Sequence, residues 1–317
     1  MKEIQSRRHP FKFYLSILFG SLFFLALGTA LLFIFFKELN SGELKPKVYF
    51  LPLASLCVYI LAFYTVYKYF KNAPIIKLDE QVISIGNTKY YWSNVKKIEL
   101  SGKWNFPYIL YFPMEAFEII FNNGTSKVIF DDMYSNSWEI KSFIKFVILE
   151  KNQVQSIKSS TITYEEVKFD NFEIFKGNQF TSLRGISLWS VIGFFILLML
   201  SKNKVPEINA IIFLTSLSLL WFILHSYMMN YFMCSNNYFI IKNHNLLWKS
   251  KIFKLSEIKE IVFETQGKQP NSLRVITKDF RNKLYLAGSL RDHDWLELKS
   301  KLEKNNIQVR NECIPEN

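Results

Sequence analysis

The sequence predicts a membrane α+β protein. It has two transmembrane helical hairpins, four helices in all, each followed by a small β domain that a C-terminal helix closes. Three observations carry this. Four stretches lack any charged side chain: 13–36, 48–67, 185–201 and about 208–232. The segment after each pair of stretches alternates apolar and polar residues at a period of two, then changes to a helical period. Those two segments also follow the same order. Composition agrees, since 50% of the 317 residues are hydrophobic, 17% are aromatic and only 21% are charged. Such a chain is neither disordered nor an ordinary soluble enzyme.

Residues 1–70 hold a short basic tail and the first hairpin. A hydrocarbon core of about 30 Å needs about 20 apolar residues in a helix, which the first, second and fourth stretches supply. The third, 17 residues long, is at the lower limit and is supported by its pairing with the fourth across the polar loop 202–207. Buried core helices are the alternative, but they are usually shorter, and four so apolar in one chain would be unusual. The first stretch could instead be a cleaved signal, with Arg7 and Arg8 before it. It exceeds the usual h-region, no small-residue cleavage site follows, and the second stretch begins after only eleven residues. A retained anchor is therefore expected.

Residues 71–151 form the first soluble domain. Val82 to Ile85 is β-branched and stops at Gly86-Asn87. Phe117, Ile119 and Phe121 alternate ahead of Asn122-Asn123-Gly124, a strong hairpin signal, and Val128 and Phe130 continue the returning strand. Ile140, Phe143, Ile144, Val147 and Ile148 then fall on one helical stripe. Residues 152–184 read as a linker with an unplaced strand near 167–175. The second hairpin spans 185–233, the second soluble domain 234–310 and a tail 311–317. In that domain the stripe is Trp295, Leu298 and Leu302. The two domains align in three blocks: 92–100 with 255–263, 117–130 with 273–286, and Trp138 with Trp295. The offset changes because a loop at 101–115 is longer than its counterpart. A duplication is expected.

The order of short strands, a W-x-x-[VI]-x-x-I motif, a hairpin and a closing helix resembles the bacterial pleckstrin-homology-like (PH-like) domains, which commonly follow a pair of transmembrane helices. The residues are Trp92, Val95 and Ile98 in the first half. In the second they are Leu255, Ile258 and Ile261, where Leu replaces the Trp. The resemblance implies a seven-stranded, helix-capped PH-like barrel or sandwich beside the membrane. It implies no ligand.

The formal charge of +12 is unevenly spread. Residues 71–151 carry ten Lys or Arg against nine Asp or Glu, whereas 236–310 carry 15 against eight. Lys242, Lys249, Lys251 and Lys254 lie soonest after the fourth stretch and are the candidate headgroup contacts. A well-placed Lys near an anionic surface contributes about 1 kcal/mol. A plain solvated face is the competing reading. The expected partners are the lipid bilayer and, at its surface, anionic headgroups or another membrane protein; oligomerisation stays open. Nucleic acid is not expected, because no basic helix or nucleic-acid module is present. Four spans put the N-terminus and both domains on one side. The Lys and Arg before the first span and after the second favour the cytoplasm, as does the resemblance.

Chemistry-bearing motifs are sparse. No P-loop, Rossmann fingerprint, H-E-x-x-H or G-x-S-x-G is found, and no cofactor, metal or catalytic set is expected. His225 is the intramembrane polar candidate, with a structural role at the interface as the alternative. Arg291-Asp292-His293-Asp294 reads as a helix cap before a metal site. Asp131-Asp132 and Glu165-Glu166 read as solvated loop residues. Asn123-Gly124-Thr125 matches a glycosylation sequon and the hairpin turn equally. Cys57, Cys234 and Cys313 show no disulfide or zinc spacing. The favoured function is a non-enzymatic membrane-surface binding or scaffolding module. The alternative is a small transporter with a pathway through the four helices.

Overall fold

In the computed structural model, which describes residues 3–42, 46–108, 112–150, 164–167, 170–200, 208–267 and 269–316, the chain divides into two compact units, 1–155 and 156–317. The first unit begins with strand β1 (Ile4–Gln5). His9 then opens a helical stretch, its Nδ1 accepting from the backbone N–H groups of Phe11 and Lys12. A π-helical turn at Pro10–Leu15 leads into α1 (Ser16–Ser41), and a 3₁₀ turn at Pro46–Phe50 leads into α2 (Leu51–Asn72). Phe19, Phe23, Phe33 and Phe63 are each more than 60% exposed, as side chains facing lipid would be. The two helices meet through small and hydroxylated residues, a common solution where lipid supplies no hydrophobic drive. Gly28 lies under the Tyr59 ring, the Ser55 hydroxyl donates to the Gly28 carbonyl at 2.8 Å, and Thr29 and Tyr59 hydroxyls are 3.1 Å apart.

Beyond α2 come β2 (Ile76–Leu78), β3 (Val82–Ile85) and β4 (Thr88–Tyr91), which with β1 form an antiparallel sheet in the order β1-β2-β3-β4. Gly86, at φ 60°, supplies the left-handed backbone of the β3–β4 turn. A 3₁₀ turn at Trp92–Asn94 starts a second sheet of β5 (Val95–Phe106), β6 (Phe112–Phe121) and β7 (Ser126–Phe130). The expected loop at 101–115 is therefore mostly strand. Gly102 to Phe106 pairs with Phe112 to Ala116 after a bulge between Glu99 and Gly102, because Trp104 and Phe106 continue the apolar alternation. Helix α3 (Ser137–Phe143) runs on as a π-helical turn to Leu149. One apolar cluster joins both sheets and α3 through Ile76, Ile83, Phe117, Ile119 and Ile140, and includes Phe13 at the base of α1.

The second unit begins with one turn, α4 (Tyr164–Val167), and β8 (Glu173–Phe175). Helices α5 (Leu183–Leu200) and α6 (Ile208–Tyr227) follow. The fourth span, expected to reach about Phe232, stops at Tyr227. Asn230–Cys234 is strand β9, in which Phe232 and Cys234 face the core and not lipid. β10 (Tyr238–Asn243) and β11 (Ser250–Lys254) complete a sheet in the order β8-β9-β10-β11. A 3₁₀ turn at Leu255–Glu257 leads to β12 (Ile258–Glu264), β13 (Ser272–Thr277) and β14 (Asn282–Leu286). Helix α7 (Asp292–Lys304) and β15 (Gln308–Asn311) end the unit, β15 pairing parallel with β12.

Three expected boundaries move. The N-terminal tail belongs to the first unit through β1, which pairs with β2. The expected linker 152–184 contributes β8, which pairs with β9; residues 151–163 lie outside the described residues. The tail 311–317 is anchored by Asn311 in β15 and by buried Ile314. The alignment of Trp138 with Trp295 also shifts: Trp295 is completely buried and Trp138 only partly. Ile140, like Trp295 the fourth residue of its helix, takes the core position. Trp92 and Leu255 each open a 3₁₀ turn before the first strand of a second sheet. Trp92, Val95 and Ile98 are part-buried against their core, whereas Leu255, Ile258 and Ile261 are buried.

Candidate functional site

The basic candidates sit on the β9–β10–β11 meander that α6 runs into. β9 leads away from the end of α6 and β10 returns, so the β10–β11 hairpin passes the start of β9 and lies beside the last turn of the helix. Asn243, opposite Asn230 in the register, fixes this. Its Nδ2 donates to the Ser226 carbonyl at 2.8 Å, and its Oδ1 accepts from the backbone of Asn245 and Leu246. Asn245 Nδ2 donates to the Ser226 hydroxyl at 2.9 Å. His244 closes the other flank: its Nε2 faces the Lys176 carbonyl at 2.9 Å and the Ser289 hydroxyl at 3.0 Å. Burial, the larger effect, and the Lys176 charge lower its pKa.

The four lysines do not form one face. Tyr238, Ile240 and Lys242 lie opposite Lys254, Ile252 and Ser250, so Lys242 and Lys254 share one side of the sheet. Lys251 is on the other, with Phe253, and Lys249 is in the turn. Its Nζ is 4.0 Å from the Tyr227 ring centroid and donates to the Tyr227 carbonyl at 3.5 Å. Burial, chiefly, and the nearby Lys283 push the Lys249 pKa down. Lys251 Nζ lies 5.9 Å from the Phe253 ring, and Lys283 Nζ lies 5.7 Å from the Tyr285 ring. Phe253 and Tyr285 meet edge to face at 6.5 Å. Lys249, Lys251 and Lys283 thus each lie over a ring of their own, Tyr227, Phe253 and Tyr285, and among the described residues no carboxylate pairs with them.

Lys254 belongs to a different feature. With Lys259 and Lys278 it lines an open groove of about 590 Å³ beside the C-terminal end of α7, where Asn236, Asn305 and Asn306 supply amides. The expected headgroup set is therefore split between the hairpin and this groove.

His225 sits on α6 against α5. Its Nδ1 donates to the Trp221 carbonyl at 3.2 Å, so in the neutral ring Nε2 accepts, from the Ser187 hydroxyl at 3.4 Å. Trp221 Nε1 donates to the Ser187 carbonyl at 3.4 Å, and the His225 and Trp221 rings lie 4.0 Å apart. Both ring nitrogens have a partner within the helical hairpin, which makes the residue an interhelical clamp.

Other sequence candidates resolve into structure. Asp131 and Asp132, expected in a solvated loop, are buried: Asp131 pairs with buried Lys141 and Asp132 with Lys12. Glu166 is exposed, and the Glu165 side chain lies outside the described residues. Asp294 caps α7 by accepting from the Arg291 N–H at 2.9 Å. His293, Asp294 and Glu297 do gather ligand atoms within 4.8 Å, but two of the three are exposed. Asn123 Oδ1 accepts from the Thr125 N–H and hydroxyl, so the sequon residues build the turn. Cys57 is exposed on α2, Cys313 is part-buried, and burial raises the Cys234 thiol to about 11.

Sequence reasoning missed Lys283, Tyr285 and the hairpin tip, where Leu247 and Trp248 are each 82% exposed. The available signal was the apolar run Leu246-Leu247-Trp248, where a turn would ordinarily be polar. No family model and no curated protein sequence matches this chain.

Proposed function

We propose that the protein is a non-enzymatic multi-pass membrane protein whose two β units are duplicated PH-like domains, serving as a binding and scaffolding module at the cytoplasmic surface of the bilayer. One observation carries the reading: β9 begins three residues after α6 and the β10–β11 hairpin is hydrogen-bonded to the last turn of that helix. The binding surfaces are thereby held rigidly beside the bilayer, which raises their effective concentration for anything in or on it. The recurrence of one strand order, β1-β2-β3-β4 and β8-β9-β10-β11, followed by a second sheet and a helix, supports the duplication. Lys249, Lys251 and Lys283, which no carboxylate pairs among the described residues, suit anionic headgroups or an acidic membrane partner.

The test is purification of the full chain from membranes in mild detergent, with retained lipids and proteins identified together. The expected result is a defined anionic lipid or a membrane-protein partner, lost in Lys249→Glu/Lys251→Glu and retained in His225→Leu. Recovery of a small solute, with uptake into proteoliposomes that His225→Leu abolishes, would establish the transporter reading in its place.

A further inference from the structure

The hairpin between β10 and β11 differs from its counterpart between β3 and β4. The latter is the two-residue turn Gly86-Asn87. The former is a six-residue loop, His244 to Lys249, that exposes Leu247 and Trp248 at 82% each. The loop is not slack. Asn243 and Asn245 bind Ser226, and Lys249 both donates to the Tyr227 carbonyl and stacks on the Tyr227 ring. The tip is thus fixed at the level where α6 ends, with an aromatic and a leucine held outward and lysines behind them.

A second observation points to a ligand at the same place. Tyr285 is 4% exposed, and its hydroxyl has no hydrogen-bond partner among the described residues. It lies close to Tyr227, beneath Lys283 and against Phe253. Lys249 and Lys283 lie close enough to act on each other and Lys251 lies over the adjoining Phe253 ring, so three ammonium groups without a carboxylate partner among the described residues, above a buried phenol, suit an anion. A Trp and a Leu at the end of a span suit the zone between headgroups and acyl chains, where an amphipathic ring is favoured.

We propose that the β10–β11 tip is a lipid-docking element: Leu247 and Trp248 seat in the interfacial zone of the leaflet at which α6 ends, while Lys249, Lys251 and Lys283 hold the phosphodiester of an anionic lipid. This rests on the reading of α5 and α6 as membrane spans with the second unit at the surface. It makes the unit attached to the bilayer at a further point beyond the helices, which fixes the tilt of its sheets.

The test uses the full chain, its native cysteines replaced by Ala, in vesicles of phosphatidylcholine with phosphatidylglycerol. Nitroxide labels are placed singly at Leu247→Cys, at Leu219→Cys in the middle of α6, and at Asn123→Cys in an exposed turn of the first unit. Relative accessibility to oxygen and to a water-soluble nickel chelate gives the depth of each label. The expected result is a bilayer-like value at 219, a water-like value at 123, and a value at 247 displaced clearly toward the bilayer. Lys249→Glu/Lys251→Glu/Lys283→Glu, or vesicles lacking the anionic lipid, should return 247 to the value at 123. A water-like 247 beside an immersed 219 would overturn the docking proposal and leave the spans standing. A label at 247 shielded from both reagents would put protein there and overturn it too. A water-like 219 would overturn the membrane reading itself.

Discussion

Lys141 shows what a single side chain can hide. It lies in α3 among Ile140, Phe143 and Ile144, is 2% exposed, and meets Asp131, also 2% exposed, at 2.5 Å. Its ammonium is also 5.5 Å from the Phe117 ring centroid. The helical stripe was legible because apolar spacing follows backbone geometry. The buried charge was not, since a lysine between apolar positions ordinarily points to water and its partner stands ten residues away in another element. Removing one member of such a pair strands the other in a medium that cannot solvate it. Lys141→Met should therefore destabilise the first unit by about 3–5 kcal/mol, and Lys141→Met/Asp131→Leu should recover much of that loss. Denaturant unfolding in detergent, followed through near-ultraviolet circular dichroism, measures both. Equal stability of the single variant and the parent would deny the pair its role.

At the scale of elements, legibility followed length. The four apolar helices and the strands around Asn122-Asn123-Gly124 announce themselves by composition and period. β1 does not, because two residues carry no period, and β8 was legible only as a strand near 167–175 without a place, because its place is set by a distant partner. Ser6 bonds both polar backbone groups of Ile76, seventy positions on, and Glu173 pairs with Cys234. The helix ends were misjudged for a related reason. Past Tyr227 the chain stays apolar, yet its apolar side chains serve a β core, and hydropathy cannot tell lipid from protein interior. Packing between spans is a further matter that hydropathy omits, and two glycines separate the cases. A Cβ on Gly28 would stand 2.8 Å from the Tyr59 ring, whereas at Gly193 it would meet nothing within 4 Å. Gly28→Leu should thus separate α1 from α2 and lower stability by about 1–3 kcal/mol, while Gly193→Leu should be close to neutral. Thermal unfolding of the two variants in the same detergent compares them directly, and an equal effect would remove close helix contact as the cause.

For the molecule as a whole, the number of crossings decides what the two units can do together. α1 and α2, with their leading turns, and α6 are amply long; α5, with 18 residues, rises only about 27 Å and is the limiting case. It is nevertheless free of charge from Gly185 onward, and Phe194, Leu197 and Leu200 are each more than half exposed, with no water-compatible reason to be so. If all four helices cross, an even count returns the chain to the side on which it started. The expected consequence is that a cysteine at Asn123 and one at His293, both exposed and in different units, behave alike toward a membrane-impermeant maleimide. With the native cysteines replaced, both should be protected in intact cells and both labelled once the membrane is opened, because the basic flanks of the first hairpin favour the cytoplasm. Protection of one and labelling of the other would make the count odd. The short α5 would then be re-entrant, and two binding modules on opposite faces of the bilayer could not act as one surface scaffold.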